Sequence, residues 1–170
     1  MTEATTPRPG DEQDRPRVRR QYGALPFRMG PELEILLLTS RETRRWVIPK
    51  GWPVKGLKAR QSAAREALEE AGITGKTGNK ALGSYSYTKL LKNGRLVPCL
   101  VKVFALQVRE QLDSWREQDQ REIRWFTPEA AAEAVQEPEL AAIIRSFAAA
   151  RIEKARKAAA KAAAAAGMET

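Results

Sequence analysis

Arg65, Glu66, Glu69 and Glu70 stand close together in the stretch Gly51 to Ile73, which reads GWPVKGLKARQSAAREALEEAGI. Ala, Leu, Glu and Arg are strong helix formers, and Gly72 stands where a helix commonly ends in a left-handed residue. Most of Ser62 to Ala71 is therefore expected to be helical. At 100° per residue Ala64, Ala67, Leu68 and Ala71 share a narrow apolar stripe, and Glu66, Glu69 and Glu70 cluster on the opposite side. Carboxylates spaced i, i+3 and i+4 repel one another across about 5–6 Å, so an isolated helix gains nothing from them. A hard divalent cation reverses that sign. Mg²⁺ takes carboxylate and water oxygens in near-octahedral geometry and keeps part of its shell for phosphate oxygens. Arg65, one turn before Glu69, can steady that carboxylate by a charge-assisted hydrogen bond. The plainer reading of the same residues is a solvated acidic face, since Glu and Arg are mostly exposed.

The spacing carries a resemblance. Gly51, followed by Arg65, Glu66, Glu69, Glu70, Gly72 and Ile73, resembles the signature of the Nudix hydrolases, G-x5-E-x7-R-E-U-x-E-E-x-G-U with U a bulky aliphatic. Seven fixed residue types in register are not expected by accident at ordinary residue frequencies. Two positions depart from the pattern. Leu57 stands where the family has its first Glu, which puts the number of bound cations in question, and Ala67 replaces a larger aliphatic.

The resemblance, which covers roughly residues 20 to 148, implies an α/β fold, a Nudix-type α/β/α sandwich with a mixed β-sheet. It implies cleavage of a P–O–P bridge by water with the help of a divalent cation, Mg²⁺ or alternatively Mn²⁺. Metal ligands would be the Gly51 carbonyl with Glu66, Glu69 and Glu70, and the catalytic set Glu66 and Glu69 with Arg65 beside them. A further base is often drawn from a loop outside the signature. Glu117, Asp119 and Glu122 form an acidic cluster suited to this, and Glu122 is the first choice because it directly precedes Arg124-Trp125-Phe126.

The segments flanking the signature are unusually basic. Arg41, Arg44 and Arg45 lead into Trp46; Lys50, Lys55, Lys58 and Arg60 surround Gly51; and Lys89, Lys92 and Arg95 follow in a hairpin. Such a concentration of cations suggests a ligand with many phosphates. Pro49-Lys50-Gly51-Trp52-Pro53 resembles the subgroup that hydrolyses diphosphoinositol and diadenosine polyphosphates. That resemblance makes Lys50 a phosphate contact, with Arg45, Lys55 and Lys89 as further candidates. Trp52 either stacks on a base or ring or plugs a loop. Two other readings stay open: removal of pyrophosphate from RNA 5′ ends, helped by a basic tail, and a non-catalytic nucleotide-binding sensor.

Composition narrows the classes. A chain of 170 residues is one domain of ordinary size. There is no histidine, which removes imidazole bases and His-ligated zinc, and the single Cys99 excludes an internal disulfide. No apolar run nears 18 residues and no secretory leader is visible, so the expectation is a cytoplasmic protein without membrane contact. The expected partner is a small-molecule polyphosphate; nucleic-acid contact through the tail is less favoured, and a monomer or homodimer is open.

Three stretches divide the chain. Residues 1–20, Pro- and Thr-rich with mixed charge, read as a disordered arm. Residues 21–150 are expected to form the Nudix hydrolase domain that the resemblance implies. Residues 151–170 are an Ala/Lys-rich tail, helical by propensity or disordered, which supplies +3 of the formal +9.

Within the domain, strands are expected at Tyr22–Phe27, Leu33–Thr39 and Trp46–Ile48. Further strands at Leu82–Leu91 and Leu96–Val108 bracket an Asn93-Gly94 turn, and a short one covers Glu122–Phe126. Pro98 points to an edge or a bulge. Thr127-Pro128 opens a helix through Val135, and a last helix starts near Pro138.

Overall fold

The computed structural model describes residues 17–167. Eight strands make one mixed sheet: β1 (Arg19–Met29), β2 (Leu33–Thr39), β3 (Trp46–Val47), β4 (Lys50–Gly51), β5 (Ile73–Thr77), β6 (Gly83–Leu90), β7 (Leu96–Gln111) and β8 (Ile123–Phe126). Three helices flank it: α1 (Ala59–Ala71), α2 (Pro128–Ala134) and α3 (Pro138–Gly167). The central order is β3-β2-β1-β7-β5, with β4 beside β1, β6 beside β7 and β8 beside β2. β1 runs parallel to β7 from Arg19 against Cys99 to Phe27 against Gln107, and the other strand pairs are antiparallel.

Side-chain alternation sends the two faces of the central strands to different cores. Leu25, Phe27, Ile35, Leu37, Val101 and Val103 pack under α2 and α3, against Ala131, Leu140 and Ile144. Ala24, Leu36, Phe104 and Leu106 pack under α1, against Ala63, Ala67 and Ala71. The result is the α/β/α sandwich that the resemblance implied. Among the described residues no helix is long and apolar enough to cross a membrane.

α1 is turned slightly from its expected orientation. The buried face is Ser62, Ala63, Ala67, Glu70 and Ala71, while Leu68 is 37% exposed. Alanines at i, i+4 and i+8 let the helix lie close to the sheet, and Glu70 is carried onto the buried edge instead of the solvent side. The Ser62 hydroxyl accepts a hydrogen bond from the Val54 N–H at 3.2 Å and ties the preceding loop to the helix.

The far end of α1 is clamped by the segment after β7. Gly72 closes the helix at φ 65°, and Leu112 N–H donates to its carbonyl at 2.7 Å. Trp115 Nε1 donates to the Glu70 carbonyl at 3.2 Å, and Glu117 N–H to the Glu69 carbonyl at 3.1 Å. Helix carbonyls that would otherwise be orphaned are thereby satisfied, and Glu117 is drawn to the acidic helix.

Several boundaries differ from expectation. Arg19 and Arg20, assigned to the arm, open β1, because β7 offers them a parallel partner. Residues 1–16 of the expected arm lie outside the described residues. β5 was not foreseen, since ITGKT carries no alternation, and it is held by pairing with β7. Pro98 pairs with Thr88 of β6, while β1 pairing begins only at Cys99, so its missing N–H meets no second strand. The tail continues α3 as one helix to Gly167.

Gly72 gives the first test. A Cβ there would lie 2.3 Å from the Trp115 ring in a left-handed backbone position. Gly72→Ala is expected to lower the unfolding free energy by about 2–4 kcal/mol from backbone and packing terms together. Urea titration checks this, and a loss below about 0.5 kcal/mol, the range of neutral surface changes, would mean that Trp115 does not close the helix end.

Candidate functional site

The C-terminal half of α1, β4 and the segment after β7 enclose a polar cleft of about 410 Å³. Its acids are Glu66, Glu69 and Glu70 from α1, and Glu117. Among its cations are Lys50 from β4, Lys89 from β6 and Arg41 from the β2–β3 loop. Gln21, Gly51, Trp52 and Tyr87 complete the lining together with Arg116, Gln120 and Arg121. A second lobe of about 320 Å³ shares Arg41, Lys50, Tyr87, Lys89 and Arg121 and adds Ser40, Thr43, Arg45 and Lys92.

The carboxylates crowd one another. Burial, then the charges of Glu70, Glu69 and Glu117, push Glu66 up to about 7, and Lys50 only partly offsets them. Burial likewise pushes Glu70 up to about 7, against the pull of Arg121 and Lys50. Lys50 is lowered to about 8 by burial, with Lys89, Arg45 and Arg121 adding to it and Glu70 opposing. Perturbation of this kind in a cleft marks candidate functional groups.

Arginines hold the acidic side together. Arg65 Nε lies 3.2 Å and Arg116 Nη1 3.6 Å from Glu69 Oε1. Arg121 Nη2 is 3.4 Å from Glu70 Oε1 and 3.5 Å from Glu117 Oε1, and Arg41 reaches the same Glu117 oxygen at 3.3 Å. The Arg121 side chain is only 9% exposed, and its Nη1 also donates to the Thr39 carbonyl.

Does this donor set fit a divalent cation? Among the described residues no three His, Cys, Asp or Glu side chains are gathered as a ready-made metal cluster. Three observations favour the fit. Glu70 Oε2 is buried without a hydrogen-bond partner. A Cβ built on Gly51 would fall 2.2 Å from Glu66 Oε1, so the Gly51 backbone approaches that carboxylate as only a glycine allows. The donors are all oxygen, as a hard cation prefers.

The structure brings most of the expected residues together. Gly51, Lys50, Trp52, Glu66, Glu69, Glu70 and Lys89 line the cleft. Arg65 stands at its outer side and reaches in only through Glu69. Arg45 lies in the second lobe, tied to Glu137 at 2.6 Å. Lys55 is exposed on the turn before α1 and lines neither lobe, and Leu57 is exposed on that same turn.

Glu122 is not brought in: its side chain is 54% exposed and pairs with Arg124 at 3.3 Å. Glu117, five residues earlier in the same acidic run, lines the cleft instead. The signal available in the sequence was Trp115, a large aromatic needed to cover the end of α1, which pulls its neighbours inward. Gln21, Tyr87 and Arg121 were missed, and nothing local in the sequence distinguishes Arg121 from the exposed arginines around it.

Both aromatic rings of the cleft carry cations. The Arg19 guanidinium sits 4.2 Å from the Trp52 ring centre and Lys89 Nζ 5.6 Å, while Lys50 Nζ lies 5.1 Å from the Tyr87 ring. The Tyr87 hydroxyl donates to Gln21 Oε1 at 2.5 Å.

With this geometry in hand, comparison with known proteins is informative. The NUDIX domain family model matches residues 18–149. Nudix hydrolase 16, mitochondrial, of Arabidopsis thaliana is 31% identical over 130 residues, covering 68% of this chain and 72% of that protein. Diphosphoinositol polyphosphate phosphohydrolase 3-beta of Bos taurus is 31% identical over 121 residues, 69% of this chain and 70% of that one. Nudix hydrolase 12, mitochondrial, of Arabidopsis thaliana is 34% identical over 105 residues, and the chain spans about half of its length, 52%. Among solved structures, an Ap4A hydrolase binary complex from C. elegans superposes with a TM-score of 0.60 at 24% identity, over 80% of this chain and 99% of that one. At that identity the likeness speaks for the fold alone.

Arg121 supplies the second test. Arg121→Ala leaves Glu70 and Glu117 without their shared cation and is expected to cost about 3 kcal/mol of stability, as for other broken buried pairs. Adding Glu70→Gln to it should recover part of that loss in urea unfolding. An unchanged midpoint for Arg121→Ala would show that the pair is solvated.

Proposed function

The chain belongs to the NUDIX domain family, and from that premise we propose that it hydrolyses the P–O–P bridge of a polyphosphorylated small molecule, a diphosphoinositol or dinucleoside polyphosphate. The observation that carries this reading is one cleft lined both by four carboxylates, Glu66, Glu69, Glu70 and Glu117, and by the cations Lys50, Lys89, Arg41, Arg116 and Arg121. Acids able to hold a divalent cation beside side chains able to pair with several phosphates suit a polyphosphate.

Glu66, Glu69 and Glu70, with the Gly51 carbonyl, would hold the divalent cation, Mg²⁺ by its preference for oxygen donors. When bound, that ion supplies charge stabilisation at the phosphate oxygens and lowers the pKa of water. The residues of the chain do the rest. Lys50 and Lys89 bind and orient the phosphates, holding the bridge toward the carboxylates. Arg65 and Arg116 fix Glu69, and Arg121 fixes Glu70 and Glu117. Glu117, 15% exposed and facing the cleft, accepts the proton of the attacking water as the new P–O bond forms and the bridge P–O bond breaks. Lys50, lowered to about 8, can still carry its proton at neutral pH and favours the charge left on the departing phosphate.

Phosphorus NMR of product formation on a panel of diphosphoinositol polyphosphate, diadenosine penta- and hexaphosphate, ADP-ribose and 5′-triphosphorylated RNA tests the assignment. Metal-dependent cleavage of the polyphosphates is expected, with Glu69→Gln reducing the rate by about 100-fold or more, the loss typical of a group acting on developing charge. Turnover of compact substrates such as ADP-ribose alone would sink the polyphosphate reading. For the base, Glu117→Gln is expected to lower kcat about 100-fold or more and Glu122→Gln to stay within about threefold of the parent. The reverse order would return the role to Glu122.

A further inference from the structure

The reading above leaves two substrate types, with and without a nucleobase. A nucleobase held by a protein normally lies on an aromatic ring, and a free ring is worth about 5- to 150-fold in affinity per base. Among the described residues lining the two lobes, the aromatic side chains are Trp52 and Tyr87. Each already carries a cation. Arg19 reaches from the first residue of β1 and lays its guanidinium 4.2 Å from the centre of the Trp52 ring, at stacking distance, and Lys89 approaches the same ring. Tyr87 carries Lys50 on its ring and is anchored through its hydroxyl to the buried Gln21. A base entering here would have to expel a stacked cation, leaving that charge to find another partner. A phosphate group instead gains from the same cations, because each ring holds its cation beside the cleft.

We propose that this cleft selects base-free polyanions, a phosphorylated polyol in the first place, and that Arg19 with Trp52 determines that preference by keeping the ring occupied. The inference rests on the polyphosphate reading of the same cleft. It goes further in giving Trp52 the role of a cation holder in place of a stacking platform. Arg19, which the sequence reading had placed in the arm, becomes part of the site.

Calorimetric titration with a matched pair of ligands separates the two. Inorganic tetrapolyphosphate and adenosine 5′-tetraphosphate carry the same number of phosphates and differ by one nucleoside; inositol hexakisphosphate serves as the polyol probe. Ca²⁺ replaces Mg²⁺, and phosphorus NMR after each run verifies that the ligand is intact. The matched pair is expected to bind the parent protein within about threefold of each other, below the gain a free stacking ring would give, with inositol hexakisphosphate at least as tight. Arg19→Gln, a change at an exposed position, should uncover the ring and shift the ratio toward the adenosine ligand by threefold or more. Tighter binding of adenosine tetraphosphate to the parent by more than threefold, or an unchanged ratio in Arg19→Gln, overturns the proposal. Because binding is read without turnover, absence of cleavage across the substrate panel would defeat the hydrolase assignment and leave this ratio to be judged on its own.

Discussion

Four carboxylates share one end of a cleft, and their repulsion, sharpened by partial burial, is the constraint to which the surrounding structure answers. Bringing Glu66, Glu69, Glu70 and Glu117 together opposes folding unless cations are brought with them. The chain supplies those cations from far apart in sequence: Arg65 from the same helix, Arg116 and Arg121 from the segment after β7, Lys50 from β4 and Arg41 from the β2–β3 loop. The pairings of Arg116 and Arg121 also fasten the segment after β7 to the helix. The electrostatics of the site and the tertiary closure of the α1 end are thus one arrangement.

The packing beneath follows from the same demand. A helix that must present acids at its rim and still lie close to a sheet needs small buried side chains, and Ala63, Ala67 and Ala71 meet it. Close approach brings Glu66 against the Gly51 backbone, where a larger residue has no room. Gly72 then lets the chain leave the helix at once into β5, so that Trp115 can cap the corner.

Much of this was legible in the sequence, and the part that was not has a common cause. The bounds of β2 and the start of α3 follow from local signals, an apolar run and a proline. So does the cap of α2, where the Thr127 hydroxyl accepts from Ala130 N–H. The signature residues converge because their spacing is short-range and set by helix geometry. The rotation of α1 was not legible, since an Ala-rich helix has two nearly equivalent apolar stripes and only the sheet chooses between them. Glu117 against Glu122, and Arg121 as the buried counter-charge, depend on contacts between residues far apart in sequence, as the Arg121 bond to Glu70, 51 positions away, illustrates. β5 exists because β7 is long enough to offer it an edge, which ITGKT by itself does not announce.

α3 carries a consequence of a different sort. Its last buried residue is Ala148, and every described residue from Ile152 onward is exposed, yet the helix continues unbroken to Gly167. Backbone hydrogen bonds, alanine propensity and the exposed pairs of Glu153 with Arg156 and Lys157 sustain that end, and isolated helices of such length are marginal in water. It is a rod roughly 1.5 Å long per residue that should fray from its tip without disturbing the sheet. The far-ultraviolet signal of this protein is therefore a sum of two populations with different cooperativity. A gradual loss of ellipticity on warming would report on the rod, and only the later, steep loss on the folded domain.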